Sequence, residues 1–401
     1  MSHRAQAKKS SLPAGLYAIG LGGVAIGLTE FAIAGLLPII ANDFQVSTAK
    51  SGVLVSGYAA AVAIGGVFLT SLLTKLDRKK TLIGVMFFFV LGNLISALSH
   101  SFNIMLLGRC ISALCHGAFF GIGAVVAVNL VSRERRSTAI SIMFGGITVA
   151  NVLGVPFGAW IGQRYGWRAA LMTIVAIGLC ALIGLAWFLP KVLSSGHSTH
   201  KVPLRTELQV FRNKQVWLSL LMTIFGFGGM FGAYTYIVFI LEDVSHFAVS
   251  TIPTLLLLFG VGVFVGNFFG GKLADWKLNR ALSIELLLLF LVLLTFSLTA
   301  DNKICAIFSL FFMGAFGFAP SAALQMRVMH YAGDAPAIAS GANITSFNLG
   351  NALGAWLGGW LIALNFGYSS PLWGGTAITG IALLVFGLSY FTGRHESSWM
   401  D

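Results

Sequence analysis

Charge is what this sequence has least of. Asp and Glu number 13 and Lys and Arg 25 among 401 residues, so charged side chains make up 9% of the chain and hydrophobic ones 57%. A water-soluble domain takes about a quarter of its residues from the charged set to cover its surface, and the mean hydropathy here is +0.87. That excludes a soluble fold and points to a polytopic membrane protein. Cysteine is scarce as well. Cys110, Cys115, Cys180 and Cys305 all lie in apolar segments without metal-ligand spacing, and read as small packing residues. No HExxH, GxSxG or paired-cysteine motif occurs, so the chain reads as a non-enzyme that holds no metal and no cofactor. GNFFGGKL (266–273) approaches a phosphate-binding loop, but Leu273 stands where Ser or Thr must hold magnesium. The stretch also closes an apolar helix rather than following a strand.

Apolar segments of spanning length, about 20 residues each, recur from 13–41 to 371–392 and number twelve. The basic tail MSHRAQAKKSS precedes an apolar run about twice as long as a signal-peptide core, so the first segment reads as a retained helix. One long polar stretch, 191–214, divides the chain into six helices over 1–190 and six over 215–401. The net charge of +12 would suit nucleic acid, but its placement gives another meaning. With the N-terminus inside, 20 of the 25 Lys and Arg fall on the inner side, and the outer loops carry Lys50, Arg164, Arg168 and Lys303. Positive charge marks the cytoplasmic face, so both termini and the linker are expected in the cytoplasm, with a bilayer and no nucleic acid as partner.

Within this apolar background the stretch GLTEFAIAGLLP (27–38) carries Glu30, the one charge between Leu12 and Ala41. A charged side chain at bilayer depth costs about 3 kcal/mol on insertion scales, so its presence asks for a use. At 1.5 Å per residue it lies roughly 24 Å from the inner end of its helix. Arg109 lies ~9 Å below the outer end of the fourth helix, within reach in depth if the two helices adjoin. His116 follows seven residues later on the same face. A carboxyl taken out of water is driven to keep its proton, and a cation beside it drives the proton off. Glu30 therefore reads either as a proton carrier or as half of a fixed ion pair, and His116 either as a packed core residue or as a proton relay. Glu285, close to the inner end of the ninth helix, is expected to reach the interface.

The two halves repeat. ANVLGVPFGAWIG (150–162) and GNALGAWLGGWLI (350–362) share Asn151/Asn351, Leu153/Leu353, Gly154/Gly354, Gly158/Gly358 and Trp160/Trp360 at a constant offset of 200. TSLLTKLDRK (70–79) echoes GKLADWKLNR (271–280). Bundles repeated about an axis along the membrane normal are an architecture of secondary transporters, with the binding site between them near the midplane.

GLTEF in the first helix, GRCISALCHGAFFGIGAVVA in the fourth and ITVANVLGVPFGAWIGQRYGWR in the fifth resemble the major facilitator superfamily. The likeness is to its twelve-helix drug:proton antiporter branch, and within that to the arabinose-efflux permeases. The resemblance implies an all-α fold of twelve transmembrane helices in two pseudo-symmetric six-helix bundles, acting as a monomer in the cell inner membrane. It places Arg109 at the family's intramembrane arginine, and Gly154, Pro156 and Gly158 in the antiporter motif that marks exporters. The cytoplasmic gating motif GxLaDrxGRK departs from pattern: Thr74 takes the acid position and Asp77 the second glycine, leaving Arg78 and Lys79 as matches. In the second copy Asp275 matches the acid, which makes it the expected acid of the gate.

The expected function is therefore proton-coupled efflux of small organic solutes such as sugars or drugs by alternating access. Glu30, Arg109 and His116 handle the proton, and Asp275, Arg78, Lys79 and Asp77 the gate. Tyr58, Asn151, Phe225, Tyr234 and Asn348 are the candidate substrate-cavity residues. An uptake symporter for a sugar or nucleoside, and a transport-inactive membrane sensor, are the competing readings.

Overall fold

The computed structural model describes residues 12–73, 76–132, 135–190, 208–333 and 336–393. Among them there is no β-strand. The helices are α1 (Ala14–Asp43), α2 (48–73), α3 (Arg78–Ala97), α4 (Phe102–Asn129), α5 (136–165) and α6 (Trp167–Phe188). After a 3-10 turn at Leu208–Arg212 come α7 (214–244), α8 (Ile252–Trp276), α9 (Leu278–Thr299), α10 (Lys303–Tyr331), α11 (Pro336–Ala363) and α12 (Ser370–Gly393). Ten of the described helices are long and apolar enough to cross a membrane. Backbone polar groups find no water in hydrocarbon and must be satisfied within the helix, which is why apolar runs of this length fold in this way. Their ends fall on short polar residues that accept the first free amides: Ser101 caps Ile104, Asn302 caps Ile304 and Cys305, and Asn213 caps Gln215.

Several helices are not uniform. The α5 helix widens into a π-turn over Ala150–Gly154, two residues before Pro156, whose ring supplies no amide to the preceding turn. The α2 helix carries a second π-turn at Gly65–Leu69, and Pro320 divides α10.

Packing follows the repeat seen in the sequence. The α1 helix lies against α5 and α6, while α7 lies against α11 and α12. The approach depends on small residues: a Cβ added to Gly228 of α7 would lie 2.8 Å from the Gly350 carbonyl oxygen of α11. Such residues let membrane helices come close enough for dispersion to hold them.

The helices before and after the linker also meet each other. Gln163 Nε2 donates to the Val249 carbonyl at 2.9 Å, Thr48 and Tyr368 pair through their hydroxyls at 3.3 Å, and Tyr236 is wedged between Gly52 of α2 and Gly359 of α11. Deeper in, Tyr234 donates to the Phe31 carbonyl at 3.3 Å. These contacts lie between the midplane and the side where α1 ends, opposite the side where it begins.

Candidate functional site

Glu30 sits halfway along α1, half-buried where the two sets of helices meet. Its Oε1 accepts a hydrogen bond from Nδ2 of Asn351 in α11 at 3.2 Å. Arg109 of α4 is 1% exposed and is held by backbone: Nε donates to the Leu54 carbonyl at 2.8 Å and Nη1 to the Thr29 carbonyl at 3.1 Å. Its guanidinium carbon lies 4.5 Å from the centre of the Tyr58 ring, a cation–π arrangement. Its Nη2 has no partner. Arg109 thus reaches the residue next to Glu30 and acts on it electrostatically, yet makes no ion pair with it. Among the described residues the ion pair within 4.0 Å is Arg168–Asp43, at the far end of α1.

Behind this pair Tyr58 hydrogen-bonds to Nδ1 of His116 at 3.2 Å, and His116 packs edge-on against Phe120 with ring centres 5.3 Å apart. Tyr58 is therefore placed between Arg109 and His116, and at 1% exposed it supports the site from inside the first half. Toward the second half, Phe31 contacts Phe231, Tyr234 and Phe318 with ring centres at 5.6, 6.4 and 6.1 Å. Phe227 extends the cluster to Phe318 and Phe347 at 5.2 and 4.9 Å. Tyr234 stacks on Phe259 at 4.6 Å. Glu30 thus borders a wall of aromatic faces contributed by both halves.

Other candidate residues have more local surroundings. Asn151 and Asn348 turn their amides back onto the carbonyls four residues earlier, Ile147 and Ile344, at 3.2 and 3.0 Å, leaving each Oδ1 buried and unpartnered. Phe225 packs against the apolar cluster at the terminal side of α7–α12, away from the aromatic wall. Gly154 and Gly158 face α1. A Cβ on Gly158 would lie 3.4 Å from that of Ala32, and one on Gly154 would overlap Leu28. Beside them an apolar cavity of about 380 Å³ opens between α1, α5 and α6 and is lined by no residue of α7–α12.

The gating residues divide. Asp77 caps α3 by accepting from the Lys80 amide at 2.9 Å, and Lys79 Nζ donates to the Leu189 carbonyl at 2.5 Å, tying α3 to the end of α6. Arg78 opens α3 and is half-buried. Asp275 lies in the last turn of α8; its side chain, like Thr74, lies outside the described residues.

One expectation is corrected. Glu285 does not reach the interface: it is 2% exposed and neither carboxylate oxygen has a partner. The α9 helix packs against α10 and α12. Two residues of weight escaped sequence reasoning. Asn351 was visible as a repeat mate but not as a partner of Glu30. Arg327 is 1% exposed near the end of α10, bonded to Asn279 and, at 2.7 Å, to Ser389. No charge pattern distinguished it from a loop cation.

A fold of packed apolar helices with a lone acid and a backbone-held arginine at the junction of two repeats defines a membrane transporter. The model of the Major Facilitator Superfamily matches residues 19–346, and the chain belongs to that family. It is 40% identical over 374 residues to "Inner membrane transport protein YdhP" of Escherichia coli (strain K12), covering 93% of this chain and 95% of the relative. It is 28% identical over 374 residues to "Chloramphenicol resistance protein" of Streptomyces lividans, with 93% and 95% covered. The crystal structure of a bacterial homologue of the human lysosomal transporter Spinster matches with a TM-score of 0.72 at 17% identity, covering 96% of this chain and 98% of that one. The chain is thus a multi-pass membrane transporter with the superfamily's fold.

Proposed function

We propose that the protein exports small organic solutes across the cell inner membrane in exchange for protons, as a monomer of two six-helix halves, 1–190 and 215–401, joined by a cytoplasmic linker. The observation that carries this reading is Glu30, an acid at bilayer depth whose only side-chain bond among the described residues spans the two halves. An intramembrane ionisable group that faces a bundle interface marks an ion or proton path. Arg109 sits close enough to act on that acid without neutralising it in a fixed pair. The aromatic wall beside Glu30 suits a flat or amphipathic solute, and the relative named for chloramphenicol resistance supports export. The excess of basic residues on the terminal side supports a cytoplasmic location for both termini.

Alternating exposure of Glu30 would let a proton enter from outside and leave inside while substrate moves the other way. Glu30→Gln keeps size and hydrogen bonding but removes the titratable proton. In reconstituted vesicles with substrate flux and internal pH recorded together, this variant should bind substrate but lose export driven by a pH gradient. Wild-type coupled flux in Glu30→Gln would overturn the reading. Arg109→Lys should impair transport although charge is kept, because the planar fork that meets two backbone carbonyls is lost.

A further inference from the structure

We infer that Asn351 is a positioning residue for the coupling proton: its amide, reaching across from the second half, favours discharge of Glu30 in the state where the two halves are closed on the side away from the termini. The inference rests on the proposed role of Glu30 and adds one residue to it.

Three other intramembrane asparagines contrast with Asn351, whereas Asn343 of the same helix also leaves it, for Gln325 of α10 within its own half at 2.7 Å. Asn93, Asn151 and Asn348 each return the amide to the carbonyl four residues earlier, on Phe89, Ile147 and Ile344. That is the ordinary way for a helical asparagine to satisfy itself in an apolar medium. Asn351, 2% exposed, instead extends its amide to Glu30 of the opposite half, and its Oδ1 is left without a partner. The repeat is broken on both sides of this contact. Asn151, its mate at the offset of 200, has no acid to meet, and Met230 occupies the position of Glu30 in the second half. The one copy of the asparagine that leaves its own helix is the one that finds a carboxyl.

The groups that face Glu30 are Arg109 from α4, Tyr58 from α2, Tyr234 from α7 and Asn351 from α11. Arg109 is bonded to the Leu54 and Thr29 carbonyls of the first half, so it travels with Glu30 whichever way the halves rock. Tyr58 belongs to the same half and faces His116. Tyr234 spends its hydroxyl on the Phe31 carbonyl. Asn351 is therefore the amide donor to Glu30 whose distance changes when the halves part. An N–H donated to an ionised carboxylate is about twice as strong as one donated to a neutral acceptor. The inter-half bond is accordingly stronger once the proton has left to water on the terminal side. Substrate that competes for the Asn351 amide weakens it, the halves separate on the far side, and Glu30 is reprotonated there.

The test is the pH dependence of the conformational equilibrium, read by spin-label distances across the ends of α5 and α8 away from the termini, with the full chain in lipid nanodiscs. In the wild type, raising pH should close that side. Asn351→Leu should retain the transition but move its midpoint up by about one pH unit, the equivalent of one charge-assisted bond. Asn351→Gln, which restores an amide donor, should bring the midpoint part of the way back. Should Asn351→Leu fail to fold, Asn351→Ser, too short to reach the acid, should give the same displacement. The control is Glu30→Gln. If it flattens the transition while Asn351→Leu and Asn351→Ser superimpose on wild type, the role of Asn351 is overturned and that of Glu30 stands. If Glu30→Gln keeps the wild-type transition, the proton role of Glu30 fails and the inference falls with it.

Discussion

Glu285 is the side chain whose surroundings agree least with its chemistry. A buried carboxyl with no donor near either oxygen gives up its hydration without recovering a bond, a deficit of about 1–3 kcal/mol. Glu285→Met, similar in length and wholly apolar, should therefore stabilise the fold by that order and raise the thermal unfolding midpoint in detergent, and an unchanged or lower midpoint would show that the acid has a partner in the folded protein. The residue also shows where sequence reading stops. Glu30 and Arg109 were legible because a charge inside a long apolar run is rare and expensive. The same logic sent Glu285 to the interface, since its position near a helix end allows an extended side chain to escape. Tertiary packing nevertheless buries it to 2% exposure. Asn351 was illegible as a partner for a related reason: Asn348, three positions earlier in the same helix, has the same residue type and an opposite disposition, and no local pattern separates them.

At the scale of the element, the long helices were readable from apolar length, but the interruptions within them were not. The π-turn at Ala150–Gly154 precedes a proline that could equally have produced a simple kink. What it does is set Gly154 against Leu28 of α1. Gly154→Ala should therefore push α5 off α1 and lower stability by about 1–3 kcal/mol. Gly145 of the same helix has open space at its Cβ position, and Gly145→Ala should be neutral or stabilising by up to about 1 kcal/mol, the intrinsic helix preference for alanine. Thermal unfolding of the two variants side by side checks the contrast; equal effects would mean that helix propensity, not the α1 contact, governs this segment.

For the whole molecule, the contacts between halves describe one of at least two arrangements that a transporter must visit. Gln163 and Val249 touch across that contact. In a background without the four native cysteines, Gln163→Cys with Val249→Cys joined by a short bifunctional reagent should hold the halves together and stop transport, with activity returning on cleavage of the link. Persistent transport in the linked protein would mean that this side need not open. The broken repeat at Glu30 and Met230 has a further consequence, for the electrical balance of the cycle. Under the proposed proton exchange, a single carboxyl at the junction of the halves would carry one proton per turn. Exchange against an uncharged solute would then move one net charge, whereas exchange against a monovalent cation would move none. One elementary charge crossing 100 mV is worth about 2.3 kcal/mol, and 1.4 kcal/mol is a factor of ten in concentration. A neutral solute could therefore be expelled against a gradient of only about fifty-fold per 100 mV, and membrane voltage alone would do nothing for a cationic one.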